Sequence, residues 1–255
     1  MPRKARQESA TGMYHVMTRG LNKLPIFKQE REKTRIINII RENLSKYNVE
    51  IYAYCIMPNH FHLLIKSEIH ELASFMAKIL AAYAQYYNFK HNRIGYVFQD
   101  RYKSQCIEQE SYFWNCLRYI HLNPLKEKSL EILLKNKHNS FAEFYYVKKD
   151  IIHEKAFEIQ RKRFPTTWQF SDFHNMENRD VFVDVSEDVF QNNLRIAKQI
   201  LKELQLQYGF AMEEILDYVE SRRNFENILS KVLNISMKKV EEVEKSIRRD
   251  LKGTG

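Results

Sequence analysis

The sequence predicts an α+β fold: a ferredoxin-like split βαβ sandwich with an antiparallel sheet, followed by an all-helical C-terminal region. Two observations predict it. The order of elements over the first half of the chain is β-α-β-β-α-β and then a helix, which is the order of that sandwich. The last quarter of the chain repeats apolar residues at helical spacing instead. One face of such a sheet is expected to stay open for a ligand.

The first elements follow from the spacing of apolar and β-forming residues. A short strand is predicted over 13–18, and a helix over 30–47 because its isoleucines and leucine form one stripe. Residues 50–57 and 60–66 are rich in β-formers and are separated by the breaker Pro58-Asn59. This pattern predicts a hairpin.

The next elements complete the sandwich. Apolar residues recur at steps of three and four over 71–90, which predicts a long amphipathic helix. A fourth strand is predicted within 102–108. The helix after it ends before Pro124, because a residue that precedes proline avoids the α region. From about 138 to 190 the pattern loosens.

Three segments are therefore predicted: a domain over 1–145, connecting or peripheral structure over 146–190, and a helical domain over 191–255. Within the last, two short helices around Ile235-Ser236 resemble a helix-turn-helix. Any small helical bundle gives the same pattern, so a DNA-reading role is one of two interpretations.

The net charge of +9 is concentrated in the first part of the chain. Residues 1–150 hold 24 Lys and Arg against 14 Asp and Glu, whereas residues 151–255 hold 17 against 18. A basic first part suits a polyanionic partner. Charge alone does not separate DNA from RNA or from an anionic membrane.

Several classes of protein are disfavoured. No apolar run approaches the roughly 18 residues that span a bilayer, so no membrane partner is expected. The basic start over 1–6 leads into polar residues rather than an apolar signal core, which predicts a cytoplasmic protein. Cys55, Cys106 and Cys116 cannot all pair and lack zinc-knuckle spacing, so neither a disulfide scaffold nor structural zinc is predicted.

His60 and His62 lie on the second strand of the hairpin. Residues two apart in a strand project to the same face. Two neutral imidazoles at that spacing can share one divalent cation and leave positions open for substrate oxygens. The alternative is two polar side chains on the solvated face of a half-buried strand.

Tyr119 and Asn123 lie four residues apart on the helix after the last strand. Both project along one stripe, which flanks the apolar face. Asn123 can supply an amide-oxygen ligand and Tyr119 can bring a phenol beside the metal. The alternative is a boundary tyrosine and a C-terminal asparagine before proline, a common helix ending.

The same segments resemble a known family. Ala53–Ile65 and Leu117–Pro124 closely resemble the signatures of the single-tyrosine HUH transposases (IS200-like transposases), and the REP-associated tyrosine transposases are the nearest branch. Tyr14–Phe27 resembles the opening segment of that branch and Gly95–Ser104 its central one. These four motifs occur in the family's order, so the resemblance predicts a transposase domain over 1–145.

The resemblance implies a Mg²⁺ or Mn²⁺ ion and a tyrosine nucleophile that cleaves and rejoins single-stranded, often hairpin-bearing DNA through a 5′-phosphotyrosine. It makes His60, His62 and Asn123 the metal ligands and Tyr119 the nucleophile. Related enzymes work as monomers or homodimers, so both states stay open. Leu125–Ser129 departs from the family's Val-Arg-Ala-Gly-like stretch, which puts local DNA contacts in doubt.

Five further residues are candidate contacts to nucleic acid. Arg19, Arg101, Lys103 and Arg118 adjoin the proposed site and can bind phosphates, and Tyr102 can stack on a base or belong to the core. A different class of function uses the same pattern: a non-catalytic, RRM-like module binds nucleic acid on a basic, aromatic sheet face without metal or cleavage. A metal-dependent hydrolase acting through activated water is a third candidate.

Overall fold

The computed structural model describes residues 6–123, 130–176 and 186–252. The chain forms two compact units, 1–178 and 179–255. Each unit is described by itself. The first is α+β and the second is helical, as predicted.

The first unit is built on a four-stranded antiparallel sheet with the order β2-β3-β1-β4. This is the strand order of a split βαβ sandwich, so the predicted fold is confirmed. The strands are β1 (Met13–Arg19), β2 (Val49–Ile56), β3 (His60–Ser67) and β4 (Lys103–Cys106).

One face of the sheet is covered by two long helices, α1 (Glu30–Leu44) and α2 (Ile69–Lys90). Phe27 joins the two layers, since its ring lies 5.9 Å from that of Phe61 in β3 and 4.8 Å from that of Tyr83 in α2. The residues that alternate with the strand histidines, beginning with Phe61, therefore form the main core. A short 3₁₀ helix, Leu21–Lys23, precedes this layer.

The other face was expected to be open, and this expectation is wrong. Helix α3 (Glu110–Leu122) packs on it over β2 and β3. The ring of Phe113 lies 5.9 Å from that of Tyr52, and the ring of Tyr119 lies 5.7 Å from that of His62. The helix packs there because burial of its apolar stripe against the sheet is favourable. The residues after α3, Pro124 to Ser129, which include the departure from the family pattern, lie outside the described residues.

The segment after α3 belongs to the first unit, which therefore extends past the predicted boundary at 145. It contains four short helices: α4 (Leu130–Lys135), α5 (Phe141–Tyr146), α6 (Glu154–Arg163) and α7 (Thr167–Asn175). The Asn175–Arg179 stretch that was expected to connect the parts of the chain lies partly outside the described residues.

This segment covers the outer edge of β2, an edge strand with otherwise unpaired backbone groups. Ile56 N donates to His138 O at 2.9 Å, and His153 N donates to Ile51 O at 2.8 Å. Tyr54 N donates to the hydroxyl of Ser140 at 2.9 Å. The region expected to be peripheral thus completes the sheet edge.

The second unit consists of α8 (Ser186–Tyr208), α9 (Met212–Asp217), α10 (Val219–Leu233) and α11 (Met237–Lys252). Its core draws on all four helices, with Ile200, Ile215, Leu229 and Val243 among its members. Asn234, with φ 49° and ψ 49°, ends α10 and starts the tight turn before α11. Among the residues that the structure describes, no helix combines the length and apolar character needed to cross a membrane.

Candidate active site

Three histidines share the face of the sheet that lies under α3. In the antiparallel pairing of β1 and β3, Arg19 is opposite His60 and Met17 is opposite His62. Alternation then places His15, two residues before Met17, on the same face. All three rings are buried. The alternative of two solvated strand histidines is therefore wrong.

The tip of the β2–β3 hairpin fixes the tautomer of His60. Its Nδ1 lies 2.7 Å from Asn59 Oδ1, and an amide oxygen only accepts, so the ring donates from Nδ1. A neutral ring of this tautomer presents the lone pair of Nε2. Asn59 O in turn accepts from Gly20 N at 2.8 Å. A side chain at position 20 would meet Leu24 O at 2.3 Å, which accounts for glycine there.

His62 is coupled to His15. Its Nδ1 is hydrogen-bonded to His15 Nε2 at 2.9 Å, and the two rings stack with centroids 5.1 Å apart. Burial lowers the pKa of His62 to about 3. Burial lowers the pKa of His15 well below its ordinary value, and electrostatic repulsion between the two imidazoles lowers it further. Both rings are neutral near pH 7, which is the form in which imidazole binds metal ions.

Helix α3 brings Tyr119 to this pair. The phenol ring meets His62 and His15 edge-on, with centroids 5.7 and 5.9 Å away. Tyr119 is partly exposed, whereas the histidines are not. The structure therefore brings together the predicted nucleophile and one of its predicted metal ligands from segments far apart in sequence.

Asn123 caps the C-terminus of α3 with helical φ −53° and ψ −37°. Its Oδ1 is buried and accepts no hydrogen bond from the described residues. A buried oxygen in this state costs roughly 1–3 kcal/mol, which a bound cation would offset. Among the described parts of the chain, no three His, Cys, Asp or Glu side chains form a metal-holding group. The predicted ligand set differs from such a group because its third member is the amide of Asn123.

The predicted donor set suits a divalent cation. His60 and His62 each engage Nδ1 in a hydrogen bond, so Nε2 is the nitrogen that each would offer. Asn123 would add its buried amide oxygen. Imidazole and amide-oxygen donors can bind Mg²⁺ or Mn²⁺, and they can also bind Zn²⁺. They are less selective for Mg²⁺ and Mn²⁺ than carboxylate donors are.

Three of the five predicted nucleic-acid contacts lie on or beside the histidine face, and their contact with nucleic acid stays a prediction. Arg19 ends β1 directly beside His60. Lys103 is exposed and pairs with Met17, so it shares the histidine face. Arg101 is exposed two residues before it.

The other two do not lie on the surface. Arg118 is buried at 3% exposure, donates to Phe173 O at 3.1 Å and to Asn115 Oδ1 at 2.9 Å, and lies over the Phe173 ring. Its side of α3 faces α7 rather than solvent. Tyr102 is also buried, and the guanidinium of Arg6 covers its ring at 3.8 Å. The prediction of a surface contact is wrong for Arg118, whereas for Tyr102 the structure agrees with the alternative of a core residue.

Sequence reasoning missed His15 and Asn59, which hold the two predicted histidine ligands. A signal was present for His15. The split βαβ order puts β1 next to β3, and alternation then puts a central β1 histidine on the face of His60 and His62.

It also missed a buried chain that starts two residues after Tyr119. His121 Nδ1 lies 2.9 Å from His174 Nε2, and His121 Nε2 lies 2.8 Å from Ser140 Oγ. His174 Nδ1 lies 2.7 Å from Phe170 O. This chain ties α3 to α7 and to the segment along β2.

Comparison with known proteins gives one sequence match. The family described as "Transposase IS200 like" matches residues 9–123. That span contains all four strands, α1 to α3 and every predicted site residue. A search of curated proteins finds no match.

Two solved structures show distant likenesses. One is a REP-associated tyrosine transposase bound to a REP hairpin, at 15% identity and a TM-score of 0.45, covering 61% of this chain and 96% of that one. The other is a candidate transposase from Deinococcus radiodurans R1, at 17% identity and a TM-score of 0.33, covering 44% and 88%. Residues 9–123, somewhat less than half of the chain, are therefore similar to the IS200-like transposases.

Proposed function

We propose that this chain is a metal-dependent transferase of DNA strands that cleaves and rejoins single-stranded, hairpin-bearing DNA through a phosphotyrosine at Tyr119. The observation that carries the proposal is the contact of the Tyr119 ring with His62 and His15, at 5.7 and 5.9 Å. The Tyr119 phenol on helix α3 contacts two buried, neutral imidazoles of the sheet. Both the tyrosine and the imidazoles lie within the residues that match a transposase family.

In the proposed reaction the phenol oxygen of Tyr119 attacks the phosphorus of the scissile phosphodiester. A bond forms from the phenol oxygen to phosphorus, and the bond from phosphorus to the 3′-oxygen breaks. The phenol proton passes to a base, and the departing 3′-oxygen takes up a proton to become a hydroxyl. The phosphoryl energy is kept in the tyrosine link, so attack by a second 3′-hydroxyl rejoins strands without a nucleotide cofactor.

His60, His62 and Asn123 would hold a Mg²⁺ or Mn²⁺ ion. When bound, the cation supplies electrostatic stabilisation of the charge that develops on the phosphate oxygens. The protein contributes the neutral state of His62, because burial lowers the pKa of that imidazole. The Asn59 hydrogen bond orients His60.

The RRM-like alternative is less well supported. That class of module binds nucleic acid on an open sheet face. Here α3 covers the corresponding face over β2 and β3, and histidines rather than stacking aromatics lie beneath it. The hydrolase alternative differs in its product, since activated water leaves no covalent adduct.

The test is adduct formation. The parent protein is incubated with a panel of single-stranded hairpin oligonucleotides and Mg²⁺, and denaturing gels and mass spectrometry detect a tyrosine-linked product. We expect the adduct from the parent, none from Tyr119→Phe, and parental levels from Tyr112→Phe, a matched change on the same helix. An adduct from Tyr119→Phe assigns the nucleophile elsewhere. Cleavage without any adduct supports the hydrolase.

A further inference from the structure

Three apolar side chains near one another in sequence are almost wholly exposed, one in the last turn of α2 and two in the segment between α2 and β4. Phe89 is 91% exposed, Ile94 99% and Tyr96 85%. Single exposed apolar side chains are common on protein surfaces, whereas three within eight residues make this segment a candidate binding surface. We call these three residues the exposed tip.

The exposed tip is held in place by hydrogen bonds on both sides. Arg93 N donates to Asn88 O at 2.8 Å, and Asn88 Nδ2 donates to Gly95 O at 2.9 Å. Gly95 adopts φ 101°, which other residues rarely adopt. Beyond the tip, Val97 is buried and accepts from Leu21 N at 2.9 Å. A fixed surface loses little conformational entropy on binding.

The base of this segment adjoins the candidate active site. Gln99 N donates to Arg19 O at 2.9 Å, and Arg19 is the β1 partner of His60. Neighbouring extended backbones lie about 4.8 Å apart, so Gln99 is roughly 10 Å from His60. Tyr96 is three residues further, at most about 11 Å of chain. A strand at the site needs only a few nucleotides to reach it.

The positive charge of this segment favours an anionic partner. Residues 88–103 contain four basic residues and one acidic residue. The basic residues are Lys90, Arg93, Arg101 and Lys103 and the acidic residue is Asp100, a formal balance of +3. Aromatic rings beside positive charge are how proteins bind single strands, with bases stacked and phosphates neutralised.

A second copy of the chain fits this surface less well. A stable protein interface buries about 800 Å² on each partner. Large aromatic side chains bury roughly 150–250 Å² each, so three side chains fall short of that area. The positive charge around the tip would also face itself in a symmetric dimer.

We propose that the exposed tip is a stacking platform for unpaired bases of the strand whose phosphate reaches Tyr119. Tyr96 provides the ring, and Phe89 and Ile94 are further exposed apolar side chains of the same segment. The identity of the strand as DNA rests on the proposed function. The stacking itself depends only on the exposure, order and charge of this segment.

The experiment measures equilibrium binding by fluorescence anisotropy, using a labelled hairpin oligonucleotide with a single-stranded extension and the same hairpin with blunt ends. We expect Tyr96→Ala to weaken binding of the extended hairpin roughly five- to 150-fold, the equivalent of about 1–3 kcal/mol per stacked base. Tyr96→Phe keeps the ring and should bind like the parent. The matched control is Trp168→Ala, another exposed aromatic of the first unit, which should change nothing.

Two further readouts separate stacking from other effects. Binding of the blunt hairpin should be insensitive to Tyr96→Ala. The slope of affinity against salt should match the parent, because no charge is removed. Parental affinity of Tyr96→Ala for the extended hairpin overturns the inference, as does an equal loss in Trp168→Ala.

The failure of this inference is distinguishable from failure of the proposed function. If the parent forms no adduct but Tyr96→Ala still loses affinity, the platform stands and the chemistry falls. Sedimentation velocity tests the second copy as occupant. If the parent is a dimer, Ile94→Asp is monomeric and Tyr96→Ala binds DNA normally, the tip is a dimer contact and the inference is wrong.

Discussion

His15 decides which nitrogen of His62 is available. The two rings share one hydrogen bond at 2.9 Å between His62 Nδ1 and His15 Nε2. When His62 donates, its Nε2 carries a lone pair and can bind a cation; when His15 donates, Nε2 of His62 carries the proton. Histidine ligands usually donate their second nitrogen to a neighbouring acceptor. His15 would be that acceptor, so it is a positioning residue.

Replacing His15 should change metal affinity without touching a ligand. We expect His15→Phe to weaken Mn²⁺ binding about 10- to 100-fold, because the ring remains but the acceptor is lost. His15→Gln, which keeps an acceptor, should recover most of the affinity. Free Mn²⁺ is measured by electron paramagnetic resonance at a temperature where circular dichroism shows both variants folded. Equal affinities for His15→Phe and parent would contradict this role.

At the level of single residues, the sequence predicted what depends on spacing and missed what depends on tertiary neighbours. His60 and His62 share a face because of the two-residue period of a strand, and Tyr119 and Asn123 share a stripe because they lie four residues apart on a helix. Their roles come from the family resemblance and stay predictions. The placement of Arg118 was predicted wrongly because α7 packs against the side of α3 that was expected to face solvent. Tyr102 takes the second of its two predicted placements, as a core residue, and the guanidinium of Arg6 covers its ring.

At the level of elements, α3 is positioned by a hydrogen-bond chain with one consistent direction. Phe170 O only accepts, so His174 donates from Nδ1 and accepts at Nε2 from His121 Nδ1. His121 Nε2 then accepts from the hydroxyl of Ser140. That hydroxyl oxygen accepts from Tyr54 N of β2. Each buried polar atom along the chain has a partner.

Breaking this chain should disturb the position of Tyr119. In His174→Ala, His121 loses its acceptor, which costs roughly 1–3 kcal/mol for a buried donor. We expect a lower urea midpoint and a rate of adduct formation that falls more than DNA affinity does, because positioning errors act on the reacting atoms. His70→Ala, at an exposed position, is the control. A proportional loss of rate and affinity would contradict the positioning role.

The same chain predicts sensitivity to acid. Burial lowers the pKa of His174 to about 3 from an unfolded value of 6.5, so the neutral folded form is favoured. Its contribution is complete above about pH 6.5 and is lost as pH falls towards 3, by up to roughly 1.4 kcal/mol per pH unit for one group. His121 and His62 shift in the same direction.

The measurement is urea unfolding of parent and His174→Asn at intervals from pH 7 to pH 4. The parent should lose stability more steeply, because the variant lacks one buried group that must take up a proton on unfolding. Parallel curves for the two proteins would show that His174 does not titrate with unfolding.

Helices in which the apolar pattern repeats over many residues were predictable, whereas the short helices α4 to α7 were not. Helices α1, α2 and α3 repeat their apolar residues over 13 to 22 positions. Helices α4 and α5 have six residues each, too few to show a period. Their place is set by hydrogen bonds to the edge of β2, such as Ile56 N to His138 O, which no local pattern reveals.

At the level of the whole molecule, the two units have different compositions as well as separate cores. The first unit holds 28 Lys and Arg against 18 Asp and Glu, whereas the second holds 13 against 14 and is nearly neutral. The buried members of the helical core cluster lie between Leu194 and Ile247, and Phe190 packs against them. Phosphate contacts are therefore expected mainly in the first unit, and the helix-turn-helix interpretation of α10 and α11 stays a prediction.

Separate cores predict separate effects of core mutations. Leu229 is buried in the second unit and Leu63 in the first. Replacing either with alanine should cost about 2–5 kcal/mol, and hydrogen exchange should locate the loss of protection in the unit that carries the change. Leu229→Ala should keep the parent's salt slope for single-stranded DNA, because no phosphate-binding group is altered. If both variants lose protection evenly along the chain, the units unfold as one, and if Leu229→Ala flattens the salt slope, the helical unit holds phosphates too.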